Sequence, residues 1–209
     1  MHAIPSATYE QFATYISLRI ASGQHLTEDS VRYSFFLALL LTTDIKQHEL
    51  ILELPHPSYP GKEIDTYIVP AEGRPATYVE FKFHRSSKST SPKPQKAGGL
   101  FKDVARMASL ASATSRCLVV YLTCPEMATY FDSKSSAYSS FWRNKIGSEF
   151  QYDGAFLENT TPTFRKVVGD LPFARVGVEY AASSLENKYQ LRVFNIQPTT
   201  VVCPPASAA

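Results

Sequence analysis

The segment from residue 76 to residue 123 constrains the fold more than any other part of the sequence, because it reads as strand, helix, strand. Its first part, "ATYVEFKFH", alternates as a strand does, and its last part, "RCLVVYLT", is a continuous apolar run typical of a strand buried on both faces. Between them, the apolar residues of "LFKDVARMASLA" recur at helical spacing, which predicts a helix over about residues 97–113. A strand that returns through a helix to a neighbour in the same sheet pairs with it in parallel, by a right-handed crossover. We therefore expect a parallel strand pair covered by this helix.

The residues before this segment complete an α/β pattern. "HLTEDSVRYSFFLALLLTTDIKQ" predicts a helix over about residues 28–46, with Thr27 as its N-cap and Glu28 on its inward stripe. Two short runs that end in proline, "ELILELPHP" and "KEIDTYIVP", predict two strands, and the second should form a hairpin with the strand at residue 76. The predicted order of helix, three strands, helix and strand indicates a mixed β-sheet flanked by helices.

At 209 residues the chain is long enough for one well-buried core, so we predict a single domain over residues 1–209. The core of this domain spans about residues 28–123. A C-terminal elaboration, over about residues 124–200, contains helical stretches around residues 126–147 and a late strand pair in "FARVGVEYAA" and "YQLRVFNIQ".

Cysteine usage and apolar runs bound the setting of the protein. Three cysteines, an odd number without paired ligand spacing, predict neither a disulfide framework nor a zinc site and favour a reducing cytoplasm. The N-terminus lacks the pattern of a signal peptide, and the longest apolar run, "FFLALLL", is too short to cross a bilayer. Neither secretion nor membrane insertion is expected.

Charged residues inside the strand at 76–84 indicate a site. Residues two apart in a strand share a face, so Glu80 and Lys82 project to one side. A hairpin turn centred on the "EG" of "AEGRP" pairs residues whose numbers sum to 145, and this register sets Asp65 opposite Glu80. Like charges at that spacing repel, so a cation is needed between them. The Lys82 ammonium offers one cation on the diagonal, but a divalent ion such as Mg²⁺ would accept an oxygen from each carboxylate, so this register predicts a metal site.

Asp65, a gap of fourteen residues and then Glu80-Phe81-Lys82 resemble the D…(D/E)xK signature of the PD-(D/E)xK nuclease superfamily, which has the restriction-endonuclease-like fold. The core of that family also runs helix, three strands, helix, strand, so the resemblance covers about residues 28–123. A proline usually precedes the first acid in the family, whereas Ile64 precedes it here.

The resemblance implies a metal-dependent phosphodiesterase, namely a DNA endonuclease of the restriction, defence or repair type. Asp65 and Glu80 would bind Mg²⁺, or Mn²⁺ in its place, and Lys82 would orient the attacking water or help to deprotonate it. Glu28 corresponds to the acid that many members carry on the first helix. Double-stranded DNA is the implied partner, and many members cut it as homodimers.

Positive charge is concentrated between Lys82 and Arg106, where seven basic residues and one acid give a local charge of +6. Because the whole chain carries +2, the remainder carries −4. We predict that basic residues in this segment contact nucleic-acid phosphates, which would contribute affinity without reading sequence. They are Arg85, Lys88, Lys93, Lys96, Lys102 and Arg106.

Other readings of these residues stay open at this point. The fold could carry an inactive nucleic-acid-binding or protein-interaction module, a nuclease that acts on RNA, or an unrelated protein in which Asp65 and Glu80 never meet. Glu28 is equally a favourable acid in the first turn of a helix. Glu63 shares a face with Asp65, but a solvated edge position is the simpler interpretation, and His84 is more simply a polar strand end than a ligand. The aromatic residues at 138–142 favour core over base stacking.

Overall fold

The computed structural model describes residues 4–86, 91–133 and 137–198. The helices are α1 Ser6–Ala21, α2 Glu28–Thr42, α3 Lys93–Ala108, α4 Pro125–Asp132, α5 Ser139–Trp142, α6 Gly154–Glu158 and α7 Pro162–Val168, with a short 3-10 helix at Gln47–Glu49. The strands are β1 Leu50–Pro55, β2 Glu63–Ile68, β3 Ala76–His84, β4 Ser115–Thr123, β5 Glu149–Tyr152, β6 Ala174–Leu185 and β7 Tyr189–Pro198. None of the described helices combines the length and the apolar character needed to cross a membrane.

The seven strands form one mixed sheet in the order β1-β2-β3-β4-β7-β6-β5. β3 and β4 are parallel, as the strand-helix-strand pattern predicts, and the remaining neighbours are antiparallel. Helices α1 and α2 pack on one face of the sheet, and α3 packs with the C-terminal helices on the other. The prediction of an α/β fold with a mixed sheet flanked by helices is therefore confirmed.

Both predicted helices are present, α2 shorter than predicted and α3 shifted toward the N-terminus. Helix α2 begins where predicted, because the Thr27 side chain accepts a hydrogen bond from the Ser30 amide and the Ser30 hydroxyl accepts one from the Thr27 amide. It ends at Thr42, since Thr43 is already extended. Helix α3 begins at Lys93, four residues early, because a proline is tolerated in the first turn, and it ends at Ala108.

The hairpin register predicted from the "EG" turn is confirmed. Thr66 pairs with Val79, Tyr67 with Tyr78 and Ile68 with Thr77, so the paired numbers sum to 145 in each case. The pairing stops there, one residue before Asp65 and Glu80 would meet. This early end of the ladder shapes the candidate site.

The aromatic residues at 138–142 belong to the core rather than to an exposed stacking surface. Tyr138, Phe141 and Trp142 are buried, and the fully buried ring of Phe101 lies 4.8 Å from that of Phe141 and 6.2 Å from that of Tyr138. The core therefore joins α3 to the C-terminal elaboration, so that residues beyond 124 support the helix that faces the site.

Adjacent glycines of α3 test this packing. A β-carbon at Gly98 would lie 2.8 Å from Cβ of Val167 and 3.2 Å from the carbonyl oxygen of Phe164, whereas one at Gly99 would meet nothing within 4 Å. We expect Gly98→Ala to lower the free energy of unfolding by about 1–3 kcal/mol through overpacking. Gly99→Ala, the matched control, should raise it by about 0.5–1 kcal/mol, because alanine favours a helix. Urea unfolding measures both, and equal effects would contradict the α3–α7 contact.

Candidate active site

The candidate site lies where β2 separates from β3. Beyond Val79, the β3 amides that would bond to β2 are taken by carboxylates instead. The Phe81 amide donates to Oδ2 of Asp65 at 2.7 Å, and the Phe83 amide donates to Oε2 of Glu28 at 2.9 Å. The ladder thus opens into a gap lined by acids from β2 and from the first turn of α2. These two hydrogen bonds from β3 amides hold Asp65 and Glu28 at this edge of the strand.

Glu80 and Lys82 project from β3 toward α3, where they meet Asp103 and Arg106. Nη2 of Arg106 donates to Oε1 of Glu80 and to Oδ1 of Asp103, both at 2.7 Å. Nζ of Lys82 lies 2.7 Å from Oδ2 of Asp103. On the other side of the gap, Nη2 of Arg32 donates to Oδ1 of Asp65 at 2.8 Å. Glu80 is only 7% exposed, so its side chain is largely shielded from water, whereas the side chains of Asp65 and Lys82 are 19% and 26% exposed.

The carboxylate cluster, as we call it, contains more negative than positive charge when every group is ionised. Its acids are Glu28, Asp65, Glu80 and Asp103, and its bases are Arg32, Lys82 and Arg106. Four carboxylates and three cations leave a net charge of −1. A partly buried site with uncompensated negative charge favours either a proton or a bound cation.

Burial and mutual repulsion shift the pKa values of these acids upward. Burial, followed by the charges of Asp103 and Asp65, raises the pKa of Glu80 to about 8. Burial likewise raises the pKa values of Asp65 and Glu28. Burial alone would lower the pKa of Lys82, but the Asp103 carboxylate and the neighbouring glutamates raise it, so Lys82 stays an ammonium ion.

From the sequence, the repulsion between Asp65 and Glu80 is expected to require a divalent metal ion, with Lys82 on the diagonal. In the structure two arginines contact these acids directly, Arg32 at Asp65 and Arg106 at Glu80, while Lys82 binds Asp103. Protein cations therefore offset much of the repulsion, and the repulsion by itself does not require a metal. A bound cation would offset the remaining net charge of −1 on the carboxylate cluster.

The donor set suits a hard divalent ion. Each oxygen of Asp65 accepts one hydrogen bond and keeps a second lone pair, and no described residue donates to Oε2 of Glu80. Mg²⁺ is held by one or two carboxylates together with water, and the excess negative charge favours a cation. Within residues 4–86, 91–133 and 137–198, no three His, Cys, Asp or Glu side chains converge as a complete metal cage. The residues thus fit a water-rich Mg²⁺ site on Asp65 and Glu80.

The basic residues predicted to contact phosphates divide into three groups. Arg85 and Lys93 are exposed, and Lys96 and Lys102 are partly exposed, as a phosphate-binding role requires. Arg106 differs, because its side chain is 14% exposed and its guanidinium is paired with Glu80 and Asp103. Its position on the inner face of α3 makes it part of the carboxylate cluster rather than of a basic surface. Lys88 lies outside the described residues.

Asp103 and Arg32 belong to the site although neither is among the residues predicted from the sequence. Both carried a usable signal: Asp103 is three residues after Leu100 and four before Met107, on the apolar stripe of α3, and Arg32 is four residues after Glu28. A charged residue on an inward-facing stripe requires a buried partner of opposite charge. Applied to both helices, that rule would have added them to the site.

Two residues that the sequence left open lie outside the carboxylate cluster. Glu63 is exposed at the start of β2, in line with a solvated edge position. His84 is partly buried at the end of β3, with Nδ1 2.8 Å from the hydroxyl of Tyr121. Burial, with the charges of Lys82 and Lys96, lowers the pKa of His84 to about 4, so it is neutral at physiological pH.

No family model, curated protein or solved structure matches the chain. Its function is therefore inferred from the geometry of the carboxylate cluster and from the resemblance of its motif.

Proposed function

We propose that the protein is a Mg²⁺-dependent nuclease with a restriction-endonuclease-like fold, and that it hydrolyses phosphodiester bonds in DNA. One observation carries the proposal. Asp65 and Glu80 lie on adjacent antiparallel strands, near enough for the charge of Asp65 to raise the pKa of Glu80, and the neighbouring Lys82 stays cationic. The topology of α2, β1–β3, α3 and β4 supports the same proposal, because it follows the element order of that fold.

The chemistry assigns a role to each side chain. Asp65 and Glu80 would hold Mg²⁺, which when bound lowers the pKa of water and offsets charge on the phosphate oxygens. Lys82 would stabilise the negative charge that develops on the attacking oxygen and on the phosphorus oxygens. Asp103 positions the Lys82 ammonium, and Arg106 fixes the Glu80 carboxylate through a bond to one oxygen. Arg32 does the same for Asp65.

Metal dependence is the first test of this proposal. We expect the purified protein to nick or linearise supercoiled plasmid in Mg²⁺ or Mn²⁺ and to leave it intact in EDTA, because charge compensation at the phosphate needs the divalent ion. Agarose gels of plasmid topology measure the result, and linear duplex DNA and single-stranded RNA in parallel define the substrate. Equal cleavage in EDTA would contradict the proposal.

An inactive nucleic-acid-binding module is the second candidate function. The observation that favours it is that each cation of the carboxylate cluster already contacts a carboxylate. In that case the role of the ion pairs is structural, because they hold α2 and α3 against the sheet. Such a module would bind DNA equally well in Mg²⁺ and in EDTA and would cleave it in neither.

A further inference from the structure

We infer that a groove next to the carboxylate cluster binds the backbone phosphates of the nucleic-acid strand that is cut. The inference rests on the proposed nuclease function and adds residues to it. The basic groove, as we call it, has a volume of about 280 Å³. Its lining includes His25, Arg85, Ser86, Lys188 and Tyr189.

Three turns or strand ends build the basic groove, and two of them lead directly into the carboxylate cluster. The α1–α2 turn contributes His25 and continues into Glu28, and the end of β3 contributes Arg85, three residues after Lys82. An extended chain rises about 3.3 Å per residue, so Arg85 lies roughly 10 Å from Lys82 along the chain. A nucleic-acid strand with one phosphate at Lys82 would therefore reach the basic groove within a few nucleotides.

The cations of the basic groove are not neutralised, unlike those of the carboxylate cluster. In the described part of the chain, neither Arg85 nor Lys188 makes an ion pair with a carboxylate. Both are therefore available to an anion. The described residues that line the groove include no carboxylate. The Ser86 hydroxyl donates a hydrogen bond at 2.6 Å to Oε1 of Glu126, which is not part of this lining. Two cations and no carboxylate in the described lining make the groove positive.

Arg85 is held in place by a neutral partner. Its Nη1 lies 3.1 Å from Nε2 of His25, and because a guanidinium only donates hydrogen bonds, the histidine nitrogen must accept. This contact orients Arg85 without cancelling its charge. Toward the described residues, its other donor groups make no hydrogen bond and can bind phosphate oxygens, for which the planar guanidinium is well suited.

An aromatic contact links the basic groove to the carboxylate cluster. The ring of Tyr189, at the start of β7, lies 5.5 Å from the ring of Phe83, whose amide donates to Glu28. Tyr189 thus forms an apolar wall between two charged regions, of the kind against which sugars and bases of a bound strand pack. An open, positive groove with an apolar wall suits a passing polynucleotide better than a small anion.

Binding in EDTA, without cleavage, tests the inference. We expect Arg85→Ala/Lys188→Ala to weaken binding of fluorescent single-stranded and duplex oligonucleotides about 10-fold, measured by anisotropy. Loss of two phosphate contacts should also reduce the slope of log K against log salt by about 1.4–1.8. Lys46→Ala/Lys166→Ala removes the same charge from exposed positions outside the groove and is the matched control.

The outcomes separate this inference from the proposed function. A groove variant equal to the control in affinity and salt slope, or wild-type protein that binds no oligonucleotide, would overturn the inference even if Mg²⁺-dependent cleavage is observed. A weakened groove variant would support it even if wild-type protein cleaves nothing, in which case only the nuclease proposal fails. With active enzyme, KM for DNA should rise about 10-fold while kcat stays within about 2-fold. A fall in kcat alone would overturn the inference.

Discussion

Asp65→Asn and Lys82→Ala should each reduce the rate of Mg²⁺-dependent plasmid cleavage by about 10²–10³-fold or more, since the first removes a charged ligand of Mg²⁺ and the second removes a cation that acts at the phosphate. Asp65→Asn would keep a side-chain oxygen for the Phe81 amide but would lose the anionic ligand. Lys82→Ala would remove the ammonium that Asp103 holds in place. Quantified gels under single-turnover conditions measure the chemical step.

Matched variants separate this loss from damage to the fold. Glu63→Gln removes an exposed acid from β2, two residues from Asp65, and Lys46→Ala removes an exposed lysine outside the carboxylate cluster. Both controls should cleave at the wild-type rate. Circular dichroism should show that Asp65→Asn and Lys82→Ala are folded. If folded Asp65→Asn cuts plasmid as fast as wild type, the assignment of this site is wrong.

Glu80→Gln should stabilise the protein while it abolishes cleavage. With a neutral side chain at position 80, the charges of the remaining three acids and three bases of the carboxylate cluster sum to zero. The amide oxygen of the substituted side chain can still accept the hydrogen bond from Arg106. In EDTA at pH 9, we expect the free energy of unfolding to rise by about 1–3 kcal/mol, because a buried, repelled charge has been removed. Urea unfolding measures this change, and the plasmid assay measures the activity.

The pH dependence of this gain has a defined sign. The pKa of Glu80 is about 8 in the folded protein and near 4.5 when unfolded, so the folded state binds its proton more tightly. The contribution of this proton to stability is complete below pH 4.5 and is lost as the pH rises to about 8. Between pH 4.5 and about 8, the free energy of unfolding of the wild type should therefore fall progressively below that of Glu80→Gln. Above about pH 8 the difference between the two proteins should be constant. A difference in the free energy of unfolding that is independent of pH, or that favours the wild type at pH 9, would contradict the raised pKa of Glu80.

Parts of the site that follow from strand geometry were predictable from sequence. The period of two placed Glu80 and Lys82 on one face, and the "EG" turn specified the register that the structure shows from Thr66 to Ile68. The parallel pairing of β3 and β4 followed from the intervening helix. These features depend on local sequence patterns and on the geometry of single connections, namely one turn and one strand-helix-strand crossover. They can therefore be predicted from one sequence.

Other parts depend on contacts between distant segments. The opening of the β2–β3 ladder needs carboxylates from β2 and α2 to replace backbone partners, which no local pattern encodes. The prediction that Arg106 lies on a basic surface is wrong, because net charge along a segment does not show which face of a helix a residue occupies. Helix α1 was not predicted, although it contributes fully buried residues such as Phe12 and Ile16. The short strand β5 was not predicted either, because its strand partner among the described residues is β6, which comes later in the chain.

The most direct test of the central claim is anomalous diffraction from crystals grown or soaked with Mn²⁺ at pH 8 or above. We expect a peak bonded to carboxylate oxygens of both Asp65 and Glu80, at about 2.0–2.2 Å as for a small divalent ion, and no such peak in Glu80→Gln. Protein that cleaves DNA with Mn²⁺ but binds the ion elsewhere, or that leaves these two acids bare at millimolar Mn²⁺, would contradict the account.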